Sequence, residues 1–318
     1  MKKLSSIAAI ALIILLNAVT PSNAEVETPK LKVVTTFTIL WDMAHQIGGD
    51  KIDLYNIVGP DVDMHEYQLT PSDIAAVADA NLLIVNGLGF EPWLGKLIKS
   101  SGFKGKVIRA SAKANLLRLT SEQKEANKQT KYDATGDDED RPGDFDPHAW
   151  QNISNARTYA TNISAALFRH DKANESFYKA NAEQYRDNLT SLERWAELEF
   201  RKVPEQYRKM VTTHDGMNYL AHSYRIKLFS PIGISTADKT SAADLAKAVD
   251  WIRLNGVKAL FLENVADRRF IDQIAKETGI TPGGQLYTDA LHNEKGRGDT
   301  YESMFRYNVE TIISAMTR

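Results

Sequence analysis

The sequence predicts an α/β protein of two lobes, each a mostly parallel sheet flanked by helices, joined by one long rigid helix. This reading rests on three features. Short apolar segments rich in β-branched residues alternate with helix-patterned segments, the order that buries a parallel sheet under helices on both faces. The apolar segments fall into two sets of four. Between the sets runs residues 173–201, a stretch without glycine or proline.

The first set of predicted strands is 31–36, 52–58, 81–86 and 106–110, and the second is 209–213, 227–230, 258–263 and 284–287. Among the helices between them, 70–80 carries its own start signal. Thr70 suits an N-cap, and Pro71 at the first helical position loses nothing by lacking an N–H. In the central stretch Tyr178, Ala182, Tyr185, Leu189, Leu192 and Ala196 recur at spacings of four and three, one apolar stripe along one face. A helix over 173–201 reaches roughly 40 Å at 1.5 Å per residue, long enough to connect two lobes at 25–172 and 202–318.

Residues 1–24 stand outside this pattern. Lys2 and Lys3 precede an unbroken apolar run, 7–16, and Ser22-Asn23-Ala24 places small residues where a signal peptidase cuts. The run is about half the roughly 20 residues a membrane span needs, which favours a cleaved secretory signal. The chain contains no cysteine. That excludes disulfides, thiolate metal sites, cysteine nucleophiles and cysteine-linked lipid, so the expected product is a soluble, unanchored protein of a Gram-negative periplasm.

The remaining composition is that of an ordinary globular chain: 318 residues, 43% hydrophobic, 25% charged, with 39 basic against 41 acidic side chains. A charge so near neutrality argues against a nucleic-acid partner. One stretch is unusual. Residues 121–146 are polar and include the run Asp137-Asp138-Glu139-Asp140, which predicts a solvated loop.

Without cysteine, any transition-metal site must use imidazole and carboxylate. Four such side chains follow predicted strands or open predicted helices. His65 lies in the loop after strand 52–58, and His148, in Asp146-Pro147-His148, precedes a helix expected near Ser154. His214 directly follows strand 209–213, and Asp289 lies two residues beyond strand 284–287. Ligands of open α/β sheets bind beyond the carboxyl ends of the strands, so these loops can converge on a cleft between lobes. Spacing alone does not bring them together, because they are far apart in sequence and no compact HExxH-type motif is present. His45, His170 and His222 fall in helical patterns and read as structural or exposed.

The residues around these positions form a series of motifs. In the first half of the chain they are Val33-Val34-Thr35-Thr36-Phe37, Val58-Gly59-Pro60-Asp61-Val62-Asp63-Met64-His65-Glu66-Tyr67 and Thr70-Pro71-Ser72-Asp73. Asp146-Pro147-His148-Ala149-Trp150, Thr213-His214-Asp215-Gly216, Gly233-Ile234-Ser235-Thr236 and Leu286-Tyr287-Thr288-Asp289-Ala290-Leu291 follow. In their order and spacing these motifs resemble the zinc/manganese ABC-transporter solute-binding proteins, the cluster A-I metal-binding family. The resemblance implies a divalent metal held between lobes by His65, His148, His214 and Asp289. It also implies limited lobe closure and delivery of the metal to an inner-membrane ABC permease. Gln68-Leu69 stand where a Glu-Pro pair is usual, and the His-rich tract of many zinc members is missing.

Three nitrogen donors and one oxygen suit tetrahedral Zn²⁺, whereas Mn²⁺ prefers more oxygen. Manganese-type members resemble zinc members with a Glu at the third position, here His214, so zinc is the expected cargo and manganese or iron the alternative. Candidate supports for the ligands are Asp215, Glu66 and Glu263, with His292 a weaker candidate as a ligand. A monomer supplied by a periplasmic metallochaperone fits this reading. A secreted zinc hydrolase is the competing class. It requires an open coordination position, which four protein ligands would close, so no enzymatic activity is expected.

Overall fold

The computed structural model describes residues 29–126, 143–236 and 241–318. The predicted signal segment and the acidic run lie outside the described residues. All eight predicted strands form. They are β1 Leu31–Phe37, β2 Ile52–Val58, β3 Leu82–Val85, β4 Lys106–Arg109, β5 Lys209–Val211, β6 Lys227–Phe229, β7 Ala259–Glu263 and β8 Gly284–Leu286.

They build two four-stranded sheets, ordered β2-β1-β3-β4 and β6-β5-β7-β8, with every pairing parallel. Each chain half therefore leaves its first strand toward one side and returns on the other. The strand order reverses between β1 and β3 and again between β5 and β7, the points at which open sheets present a crevice.

The first lobe carries helices α1 Thr38–Gly48, α2 Pro71–Asp79, α3 Leu94–Ser101, α4 Ser121–Ala126 and α5 Ile153–His170. The long α6 spans Glu175–Arg201, and α7 Asn218–Tyr224, α8 Ala242–Asn255, α9 Arg268–Thr278 and α10 Tyr301–Met316 follow it. Helix α2 begins as its sequence predicts: Thr70 and Asp73 form a reciprocal capping box with Pro71 behind the cap. In α6 every residue of the predicted stripe is buried, and Phe200 extends it by one turn. The expected helix after His148 starts with a short 3₁₀ turn, Ala149–Gln151, before α5.

The packing explains why the lobes form a stiff pair. One apolar cluster runs from β1 and α1 through α5 and the α6 stripe to Met210, Phe261 and the buried face of α10. Only the far side of the second sheet has its own small cluster, around Val211, Ile252, Leu260 and Ile271. Hinging the lobes widely would open a shared core, exposing apolar area worth roughly 25 cal/mol per Å². Phe200 stacked on Tyr224 at 4.3 Å, and Arg306 over the Trp195 ring at 4.1 Å, fasten the far half of α6 to the second lobe.

Candidate metal centre

The carboxyl ends of the two sheets face each other, and the four candidate side chains meet there. His65 comes from the β2–α2 loop, His148 from the turn before α5, His214 from the loop after β5, and Asp289 from the loop after β8. One donor atom from each lies within 4.8 Å of the others. Asp289 is central: its Oδ2 is 3.1 Å from His214 Nε2 and 3.6 Å from His65 Nε2, and its Oδ1 is 3.6 Å from His148 Nε2. The side chains of His148, His214 and Asp289 are fully buried, and that of His65 nearly so.

Such a cluster is costly without a bound cation. The Nε2 atoms of His65 and His148 and both Asp289 oxygens are buried without a hydrogen-bond partner among the described residues. A buried polar atom left unpaired costs about 1–3 kcal/mol, so several together mark a site built for a ligand. Burial alone would raise the Asp289 carboxyl, but the His148 and His214 imidazoles outweigh it and hold the group well below the usual carboxylate range. Burial opposes charge on His214, yet the Glu263 and Asp289 carboxylates outweigh it and raise that imidazole well above its ordinary value.

Local structure fixes each ring. Asp146 Oδ1 accepts both the backbone N–H of His148, at 2.9 Å, and its ring Nδ1–H, at 2.8 Å. Asn218 Nδ2 donates to the other Asp146 oxygen at 2.9 Å. Glu263, the last residue of β7, accepts the N–H groups of Thr213 and His214 on Oε1 and faces His214 Nδ1 with Oε2. Both imidazoles are thereby held in the tautomer that points Nε2 at Asp289. Glycine is required beside His214: a Cβ at Gly216 would stand 2.6 Å from both Cε1 and Nε2 of the ring.

His65 is held by its loop and by aromatic packing. Asp63 Oδ1 accepts the His65 N–H at 2.9 Å, and Thr236 of the second lobe donates to Oδ2 at 2.7 Å. Phe90 sets its ring edge-on to His65 and His148, with Trp150 behind. Phe90 keeps its place because Glu91 turns back into the chain. The Glu91 carboxylate accepts from Asn86 N, Gly87 N and Thr36 Oγ1, and burial pushes it up to about 7.

The chain from residue 33 to residue 315 matches the family described as "Zinc-uptake complex component A periplasmic". The chain belongs to this family. Several of its relatives are named substrate-binding lipoproteins of metal ABC transporters. One, the metal ABC transporter substrate-binding lipoprotein FimA of Streptococcus parasanguinis, is 31% identical, with all of both chains covered. The iron-binding protein YfeA of Yersinia pestis is 32% identical over 97% of this chain and 94% of its own. The manganese-binding lipoprotein MntA of Halalkalibacterium halodurans is 29% identical over 91% and 89%. The family fold is shared with the periplasmic zinc-binding protein TroA of Treponema pallidum. The TM-score is 0.81 at 24% identity, covering 91% of this chain and 100% of that one.

These relatives correct one expectation. Several that match the whole chain are named lipoproteins, which overturns the placement of this protein as unanchored in a periplasm. That placement rested on the missing cysteine, and cysteine count speaks only to lipid attached through sulfur. It says nothing of other ways to hold a protein at a membrane.

The supports expected from sequence divide. Glu263 contacts a site histidine as foreseen. Asp215 instead accepts from Gln123 Nε2 at 3.0 Å, with burial raising it to about 6, and Glu66 is exposed. His292 stands outside the cluster, against Asp61. Asp146 was missed, although its position two residues before His148, with a proline between, is the spacing of an Asx-type loop that can reach back to the ring.

Proposed function

We propose that His65, His148, His214 and Asp289 bind one divalent cation as cargo, and that the cation is zinc. What carries this reading is the convergence of three imidazole nitrogens and one carboxylate on a buried point where most lack other partners. Zinc bonds of about 2.0–2.1 Å place tetrahedral donors roughly 3.3 Å apart. The oxygen–nitrogen separations, 3.1 and 3.6 Å to Oδ2 and 3.6 Å to Oδ1, lie near that edge within a donor set that spans up to 4.8 Å. Asp146 and Glu263 add two carboxylates behind the imidazoles, so a loaded site turns from net positive to net negative. That raises the basicity of the ligands.

The relatives named for manganese and iron support a second reading, in which both Asp289 oxygens bind and coordination rises to five. The competing class, a zinc hydrolase, requires an open position for water, which four protein donors around a tetrahedral ion would close. We infer that the protein passes its ion to a membrane permease with its ATPase, as a monomer with lobes at 25–172 and 202–318, and that a metallochaperone is a candidate source.

The test is competition titration of metal-stripped protein with zinc and manganese, counting bound metal by elemental analysis. One zinc per chain, displacing manganese, is the expected result. Zinc failing to displace manganese would favour the second reading, and no stoichiometric metal would overturn both.

A further inference from the structure

We propose that Asp61 is a positioning residue that clasps the two lobes over the metal centre and sets the rate at which bound metal leaves. The proposal rests on the metal-cargo reading above and goes beyond the donor set.

Asp61 sits at the turn of the first-lobe loop that carries His65, in left-handed backbone at φ 55. Aspartate tolerates that conformation better than most residues, but it still carries strain. In this position the residue reaches the second lobe with three groups. Its backbone N–H donates to Leu291 O at 3.0 Å, its Oδ1 accepts from Asn264 Nδ2 at 3.0 Å, and its Oδ2 lies 2.6 Å from His292 Nδ1. That contact sets a carboxylate oxygen against a ring nitrogen able to donate to it.

Its partners enclose the segment that carries Asp289. Asn264, immediately after β7, donates also to Ala290 O at 3.1 Å and accepts the Thr288 N–H at 3.3 Å. His292 stacks on Tyr287 at 5.3 Å, and its own N–H donates to Gly298 O at 2.8 Å. The chain from Tyr287 to His292 is therefore tied at both ends to side chains that close on a single carboxylate of the other lobe. On the other side of the same loop, Asp63 makes the corresponding cross-lobe bond to Thr236.

These bonds differ in kind from the centre itself. The four donors would hold the ion, whereas the Asp61 contacts join the lobes directly and do not depend on it. An ion leaving a buried site must wait for a gap between the lobes, and the Asp61 contacts oppose that gap. An ion entering must wait for the same gap, so the contacts oppose capture as well. The clasp therefore slows release and capture together and leaves the affinity nearly unchanged.

The test uses the full chain and zinc as the probe. Asp61→Gly removes the carboxylate while suiting the left-handed backbone, Asp61→Asn keeps an acceptor for Asn264, and His292→Phe keeps the stack on Tyr287 without the donor. Zinc release into excess chelator and zinc association are followed by stopped flow, and amide exchange over residues 287–292 is read in metal-free protein. Asp61→Gly and His292→Phe are expected to release zinc about tenfold faster and to take it up faster by a similar factor, with Kd within about threefold of wild type, and Asp61→Asn falls between. Their 287–292 amides exchange faster without metal. Release at the wild-type rate from Asp61→Gly and His292→Phe, or an affinity loss arising from slower association, overturns the clasp while leaving the metal reading intact. Should the wild type bind no zinc, the metal reading fails and with it the role in release.

Discussion

Glu263 holds His214 from two directions with one carboxylate: Oε1 takes the backbone N–H of His214 and of Thr213 before it, and Oε2 faces the ring Nδ1. A strand end and a site imidazole are thus set by the same group. Replacing Glu263 with Gln keeps an acceptor for the backbone but can turn an N–H toward Nδ1, which favours the opposite tautomer and takes the lone pair off Nε2. Zinc affinity should fall about 10- to 100-fold, as loss of such supports generally does, while the fold persists. Chelator competition gives the affinity and circular dichroism the fold; an unchanged affinity would remove Glu263 from the site.

The donor itself should matter more than its support. His214→Ala removes one of four donors and leaves Asp289 without its nearest imidazole, the one 3.1 Å away. The expected loss exceeds that of Glu263→Gln, at more than about 100-fold. The same competition titration checks both, and equal losses would mean that Glu263 acts only by holding His214 in place.

Gly216→Ala tests the space around that ring. The added Cβ would lie 2.6 Å from His214 Nε2 and Cε1, too close for either to remain where it is. The imidazole must rotate or the loop must shift, and a misplaced ligand costs affinity even when its chemistry is intact. Zinc affinity is expected to drop about tenfold or more, with the melting temperature of the metal-free protein lowered by no more than a few degrees. Loss of stability without loss of affinity would contradict the placement of the ring.

The central strands were legible because a strand buried on both faces reads as a continuous apolar run, as in β3 Leu82–Val85 and the first residues of β7, and α6 because its stripe keeps helical period over its whole length. Strand ends were less so. Thr212 and Thr213 read as strand, yet β5 stops at Val211: the Thr213 N–H goes to Glu263, and the Thr212 hydroxyl donates to His214 O. Glu263, which takes the Thr213 N–H, lies 50 residues further along the chain. The meeting of His65, His148, His214 and Asp289 was legible because each follows a strand or opens a helix inside a recognisable motif. What the sequence hid were pairings across the lobes, such as Asp61 with His292 or Asp63 with Thr236, in which neither residue carries a local sign of its partner.

Asp42 offers a prediction away from the metal. It is buried on α1, where Oδ2 accepts the Tyr301 N–H at 2.8 Å and Oδ1 accepts from Gln46 Nε2 at 3.2 Å. Burial raises its carboxyl from the ordinary 3.8 to about 6, with the two hydrogen bonds only partly opposing the shift. Between those values the folded chain keeps a proton that the unfolded chain has released. Stability must then fall as pH climbs through this window and level off above it, by up to about 3 kcal/mol at 1.36 kcal/mol per unit. Asp42→Asn has no proton to lose, so its stability relative to wild type should rise from pH 4 to pH 6 and stay constant beyond. Urea unfolding of the metal-free proteins at pH 4, 5, 6 and 7 measures the difference. Parallel curves for the two proteins would mean that Asp42 carries the same charge folded and unfolded, and the N-terminus of α10 would then be anchored to an ionised carboxylate throughout.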